Sequence, residues 1–181
     1  MVAKGGSGPL FVLQPYAPCP AVRSLNVEAR RGSGVLELRY TLEAELDALR
    51  LAAPGEGELW QHTCFEIFLA PAGMPSYYEF NFSAAREWRA HAFSRYREGG
   101  PLDRPELDPG IEVRQAAGRL ELRARVPLHR TGLSGDLACG LSAVIEAADG
   151  SLSYWALRHP AGAPDFHHRD GFAARFDALR D

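Results

Sequence analysis

Two carboxylates and an amide interrupt consecutive apolar runs of this 181-residue chain. Glu66 sits within Cys64-Phe65-Glu66-Ile67-Phe68-Leu69-Ala70, and Glu79 and Asn81 sit within Tyr77-Tyr78-Glu79-Phe80-Asn81-Phe82-Ser83. Strand side chains alternate between faces. If Phe65, Ile67 and Leu69 face a core, then Cys64, Glu66, Phe68 and Ala70 face the other way. In the second run Tyr78, Phe80 and Phe82 share one face, and Tyr77, Glu79, Asn81 and Ser83 the other. Pairing through the turn at 71–76 brings Glu66, Glu79 and Asn81 onto one sheet face, within cross-strand reach. Such a face suits a sugar, with acceptors for its hydroxyls and flat rings for the C–H faces of a pyranose. The same alternation also describes an outer sheet face turned to water.

Trp60 stands in a loop just ahead of the first run, outside any apolar stretch, and is a candidate stacking platform. Trp88 and Trp155 fall within strand patterns and are expected in the core. The segment Pro164-Asp165-Phe166-His167-His168-Arg169-Asp170-Gly171 gathers an aromatic ring, two imidazoles, two carboxylates and a guanidinium in one loop. Adjacent histidines in an extended loop point apart, and no second cluster has ligand spacing, so no metal is expected there. Glu66 and Glu79 also raise glycoside hydrolysis, which needs two carboxyls about 5–10 Å apart across a cleft. A GxSxG elbow, a P-loop and a strand-linked GxGxxG are all missing from the sequence.

The elements that must hold these residues are strands. Leu10 to Leu13 reads as a short first strand ended by Pro15. Residues 25–30 and 35–43 read as a hairpin around Ser33-Gly34, with Leu36, Leu38, Tyr40 and Leu42 alternating against Glu37, Arg39, Thr41 and Glu43. Residues 46–53 read as a turn or one helical turn. After the runs at 64–70 and 77–83, Glu87 to Phe93 makes a third strand, with Arg89, His91 and Phe93 on one face. These three form a meander. Residues 95–110 read as a long loop. Further strands are expected at 111–115, 120–126, 141–147, 152–157 and 172–176, with Asp149-Gly150 as the strongest hairpin signal. About ten short strands, closely spaced and without a long helix, predict an all-β, single-domain antiparallel β-sandwich with jelly-roll or immunoglobulin-like layers.

Composition agrees. Hydrophobic residues are 46% and charged residues 24%, which excludes disorder as the main state. Twenty Lys and Arg against 23 Asp and Glu leave a net charge of −3, without the basic excess of a nucleic-acid binder. The three cysteines, Cys19, Cys64 and Cys139, are far apart and are expected to be free thiols. No apolar stretch has the length of a signal peptide or membrane span, so a soluble, cytoplasmic protein is expected, with no membrane partner. Oligomeric state is not set by any of this.

The pattern of Leu59-Trp60, a short gap, Cys64-Phe65-Glu66-Ile67-Phe68, then Tyr77 to Phe82, and the ending Pro164-Asp165-Phe166-His167-His168-Arg169-Asp170-Gly171-Phe172 resembles the DOMON-like superfamily. More narrowly, it is similar to bacterial DOMON-like proteins related to family 9 carbohydrate-binding modules. The resemblance spans about residues 10–178, preceded by a flexible tail at 1–9, and implies a β-sandwich that clamps a saccharide between two aromatic rings. Trp60 matches the first platform and Phe166 the second, where the family more often has Trp. Glu66 matches an acidic position and Asn81 an amide, while Glu79 falls where the sugar modules carry a basic residue. Haem-binding members use Met and His, but Met74 is the single internal methionine here, so no cofactor is expected. The expectation is a non-catalytic module for a small ligand, a saccharide or polyol, held by Trp60, Glu66, Glu79, Asn81, Phe166 and His167. The rivals are a protein-interaction module using the same face and a glycoside hydrolase using Glu66 and Glu79.

Overall fold

A computed structural model describes residues 8–51 and 57–178 of the chain. Among them are twelve strands: β1 (Leu10–Pro15), β2 (Val22–Gly32), β3 (Val35–Ala44), β4 (Cys64–Pro71), β5 (Tyr77–Phe82), β6 (Trp88–Arg95), β7 (Glu98–Pro101), β8 (Glu112–Ala116), β9 (Arg119–Val126), β10 (Leu137–Glu146), β11 (Leu152–Ala156) and β12 (Ala174–Phe176). All pairings are antiparallel. The order across the sheet is β7-β6-β5-β4-β10-β11-β1-β2-β3-β9-β8, with β12 also on β10. The all-β architecture expected from the sequence is the one observed. Of the expected tail, residues 1–7 lie outside the described residues, while the Pro9 carbonyl accepts the Ala29 N–H at 3.2 Å. No helix among the described residues is long and apolar enough to cross a membrane.

The sheet folds into two layers through β1. Leu10 to Leu13 pair with β2, whereas Gln14 and Pro15 pair with β11, so one strand serves both layers. Leu36, Leu38, Tyr40 and Leu42 of β3 face inward against Phe65, Ile67 and Leu69 of β4 and Phe80 and Phe82 of β5. Tyr40 and Phe65 sit 5.3 Å apart between ring centroids, and Tyr40 Oη donates to the Glu66 carbonyl at 2.7 Å. Each of these fully buried side chains contributes about 1.5–3 kcal/mol.

β3 alternates buried and half-buried residues, as a strand with one wet face should. β4 does not: Cys64 to Ala70 are all buried. Its outer face is covered by a second apolar cluster, where Phe68, Ala70, Tyr77 and Ala138 pack with Phe172 and, at its edge, Phe93 and Phe166. The nearly continuous apolar run in the sequence is therefore a strand sealed on both sides.

Two stretches depart from the sequence reading. Residues 95–110, expected as a loop, contain β7, which turns back from β6 through Tyr96 and Arg97. Its Glu98-Gly99-Gly100-Pro101 composition has little strand propensity, which conceals it. Gly99 is required there, because a Cβ would lie 2.0 Å from the Ala92 carbonyl oxygen. β10 begins at Leu137, four residues before the expected start. Gly140 breaks the apolar pattern, yet it lies under Phe172, whose ring a Cβ would approach to 3.2 Å. Cys19, Cys64 and Cys139 are unpaired.

Candidate functional site

Register builds the site from five neighbouring strands, β6, β5, β4, β10 and β11. Glu66 of β4 lies directly opposite Asn81 of β5, Phe68 opposite Glu79, and Glu79 opposite His91 of β6. On the other side, Ser142 of β10 opposes Glu66, and Val144 is followed across by Tyr154 of β11. Trp60 enters from the one-turn 3-10 helix Leu59–Gln61, immediately before β4. Phe166 and His167 come from the loop that leads to β12. Together these elements enclose a cavity of about 360 Å³. Trp60, Glu66, Glu79, Phe166 and His167 line it, and so do Phe68, His91, Phe93, Arg97, Val144, Tyr154 and Pro164. Asn81 is not in the lining. It lies buried beneath, donating Nδ2 to Glu79 Oε1 at 2.7 Å.

The face is not open to water, contrary to one expectation from its alternation. Glu66 is 2% exposed, Glu79 5% and Asn81 0%, because the 160–172 loop and the Trp60 turn close over it. Burial has electrostatic consequences. It pushes the Glu66 carboxyl well above the usual range, the neighbouring Glu79 charge pushes it further, and the bond from Ser142 Oγ at 3.1 Å opposes. Burial also raises Glu79, partly offset by the Asn81 bond and by His91 and Arg97. Asn81 Oδ1 and His91 Nδ1 are buried with no hydrogen-bond partner.

His167 is held neutral. Burial, then the Arg97 charge, lowers its pKa to about 4. Tyr77 Oη accepts the Arg97 N–H at 3.1 Å and lies 2.8 Å from His167 Nδ1. We assign the Tyr77 proton to Nδ1, which leaves the imidazole proton on Nε2, 3.8 Å from Glu79 Oε2. With a neutral ring, that approach is polar rather than an ion pair. Asp165 fastens the loop: its carboxylate takes Tyr96 Oη at 2.6 Å, Arg97 Nη2 at 2.9 Å and the His167 N–H at 3.1 Å. Arg169 lies over the Phe172 ring at 4.8 Å. His168 turns away, its Nδ1 accepting the Asp170 N–H at 3.3 Å. The polar loop is thus partly an anchor, and no group of three metal-ligating side chains gathers among the described residues.

Trp60 is 48% exposed, whereas Trp155 is 4% exposed in the core and Trp88 is half-buried against it. Seven lining residues were not among the expected site residues: Phe68, His91, Phe93, Arg97, Val144, Tyr154 and Pro164. His91 and Phe93 carried a readable signal, since they share a face of β6 and β6 continues the meander. Tyr154 likewise alternates with the core residue Trp155. Arg97 carried none, because β7 was unseen. A concavity of about 520 Å³ over β2, β3 and β9 has a different character. Its charges are mutually matched, Arg30 with Glu37 and Arg39 with Glu28, leaving little for a ligand to satisfy.

No protein-family model and no curated protein matches this chain. Solved structures do. A candidate carbohydrate-binding protein from Bacteroides uniformis superposes with a TM-score of 0.62 at 14% identity, over 90% of this chain and 83% of that one. A family 9 carbohydrate-binding module from Caldicellulosiruptor kristjanssonii in complex with cellotriose gives 0.57 at 9% identity, over 86% and 75%. The module from that organism in complex with glucose gives 0.58 at 10% identity, over 90% and 79%. At such identities the likeness is one of fold.

Proposed function

We propose that the protein is a non-catalytic module that binds a saccharide or related polyol in the 360 Å³ cavity. The observation that carries this is the pairing of an exposed indole, Trp60, and Phe166 with a buried polar floor of Glu66, Glu79 and His91. Rings supply stacking worth about 0.5–1.5 kcal/mol each, and the floor supplies hydroxyl partners. The neighbours of like fold, named for carbohydrate binding or holding cellotriose or glucose, support the reading. The Trp60-to-Phe68 and 164–172 patterns support a finer placement among DOMON-like proteins. The three unpaired thiols support a reducing, cytoplasmic compartment.

Hydrolysis is the weaker reading. Glu66 and Glu79 rise from adjacent strands of one floor, whereas a glycosidase sets its carboxyls on either side of the scissile bond. The test is a fluorescence titration with mono- and disaccharides. Trp60 should report binding, and Trp60→Phe should remove most of the change while Trp155 stays silent. A broad panel without response at about millimolar concentration, the range of shallow weak sites, would overturn the reading in favour of a protein-interaction face.

A further inference from the structure

We infer that the bound saccharide carries a protonated amine, held by the Glu79 and Glu66 floor of the cavity; this rests on the saccharide reading of that cavity. The charges around the floor do not balance from within. Among the described residues, neither carboxyl has an arginine or lysine within ion-pair distance. The nearest basic group to Glu79 is the neutral His167 at 3.8 Å. Arg97 lines the cavity, but its Nη2 is committed to Asp165 at 2.9 Å. Arg169 is turned to the Met74 carbonyl. A third carboxylate, Glu58, lies 3.9 Å from Nε2 of His91, one of the lining residues.

A buried carboxylate without a cation is costly, so burial drives both carboxyls toward the neutral form, and a cation placed beside them would favour the charged one. The partner that this floor lacks is one a ligand can bring. The cavity walls fit the same group. Trp60, Phe93, Tyr154 and Phe166 present aromatic rings, which attract ammonium ions as well as sugar C–H faces. His91 Nδ1 is a buried nitrogen of the same floor with no hydrogen-bond partner. A neutral hexose would leave the floor in the protonated form that burial favours, and an N-acetylated one would bring no charge to reverse it.

The test is calorimetric titration of the whole chain at neutral pH with D-glucosamine, D-glucose, N-acetyl-D-glucosamine and choline. Glucosamine should bind at least about tenfold more tightly than glucose and N-acetylglucosamine, as a charge-assisted bond requires. Glu79→Gln, checked for folding by its thermal melt, should erase that preference, so that the variant binds glucosamine no more tightly than it binds glucose. Equal binding of the three sugars would overturn the amine and leave the saccharide reading standing. Binding of choline with no sugar bound, or silence from every probe, would overturn both.

Discussion

His62 Nδ1 lies 2.7 Å from Glu146 Oε2, and this contact ties the turn carrying Trp60 to the end of β10. Glu146 is otherwise saturated. Its Oε1 takes Arg50 Nη1 at 2.9 Å, and its N–H donates to Thr63 Oγ1 at 3.0 Å. Residues 62 and 63 follow the Leu59–Gln61 turn directly, so both contacts fix where Trp60 stands. The platform is exposed, but its base is anchored.

Glu146→Ala should therefore cost about 1.5–3 kcal/mol, the range for hydrogen bonds to a charged group. It should also weaken saccharide binding by loosening Trp60. Burial alone would push the Glu146 carboxyl up, but the bonds and charges of His62 and Arg50 outweigh it and hold it below its ordinary value. A carboxyl held low in the fold stabilises above its unfolded pKa of about 4.3 and loses that contribution as the pH falls further. Thermal melts of both proteins across the acid range check this. Their difference should be full at neutral pH and shrink below about pH 4. A variant with unchanged melting and unchanged acrylamide quenching of Trp60 would show that the contact positions nothing.

Glu66 gives the opposite pH dependence. Its carboxyl is raised, first by burial and then by Glu79. Between the unfolded value and the raised one, the folded state binds more protons, so stability falls as pH rises. Glu66→Gln keeps the shape and removes the charge. It should melt with the wild type near pH 4 and above it in mildly alkaline solution, by about 2–4 °C for each kcal/mol relieved in a chain of this size. Differential scanning calorimetry over that range decides the point. A variant less stable than wild type at every pH would mean that the carboxylate is a structural acceptor rather than a strained floor group.

The layers and most strands were legible in the sequence because period-two alternation survives wherever one face is wet, as in β3. The common face of Glu66, Glu79 and Asn81 followed from the same arithmetic and is the arrangement observed. What alternation could not reveal was burial. Whether a polar face meets water or a loop depends on where residues 160–172 fold back, a contact nearly a hundred residues away in sequence. β7 and the first residues of β10 were hidden by glycines, Gly99 set against the Ala92 carbonyl and Gly140 under the Phe172 ring, so the feature that weakens the strand signal is the one the structure needs. The loop 164–171 read as a single polar cluster. Asp165 and Arg169 work as fasteners, His168 faces outward, and only Phe166 and His167 reach the cavity with Pro164.

His167 should stay neutral far below the ordinary histidine pKa. Its side chain is 17% exposed, its Nδ1 is engaged by Tyr77, and burial followed by the Arg97 charge lowers its pKa to about 4. For a base held down in the fold, the unfolded chain binds more protons between the two values. The stability at stake is then complete above about pH 6.5 and is lost as the pH falls toward 4. Long-range proton–nitrogen NMR correlations should show His167 as the Nε2-protonated neutral ring at pH near 5.5, midway in that window. Tyr77→Phe removes the donor to Nδ1 and should cost about 1 kcal/mol, yet leave the ring neutral there, because burial is the leading cause. Titration of His167 near its ordinary value in the wild type would mean that the loop stands open in solution. The cavity would then lack the wall on which both Phe166 and the closed floor depend.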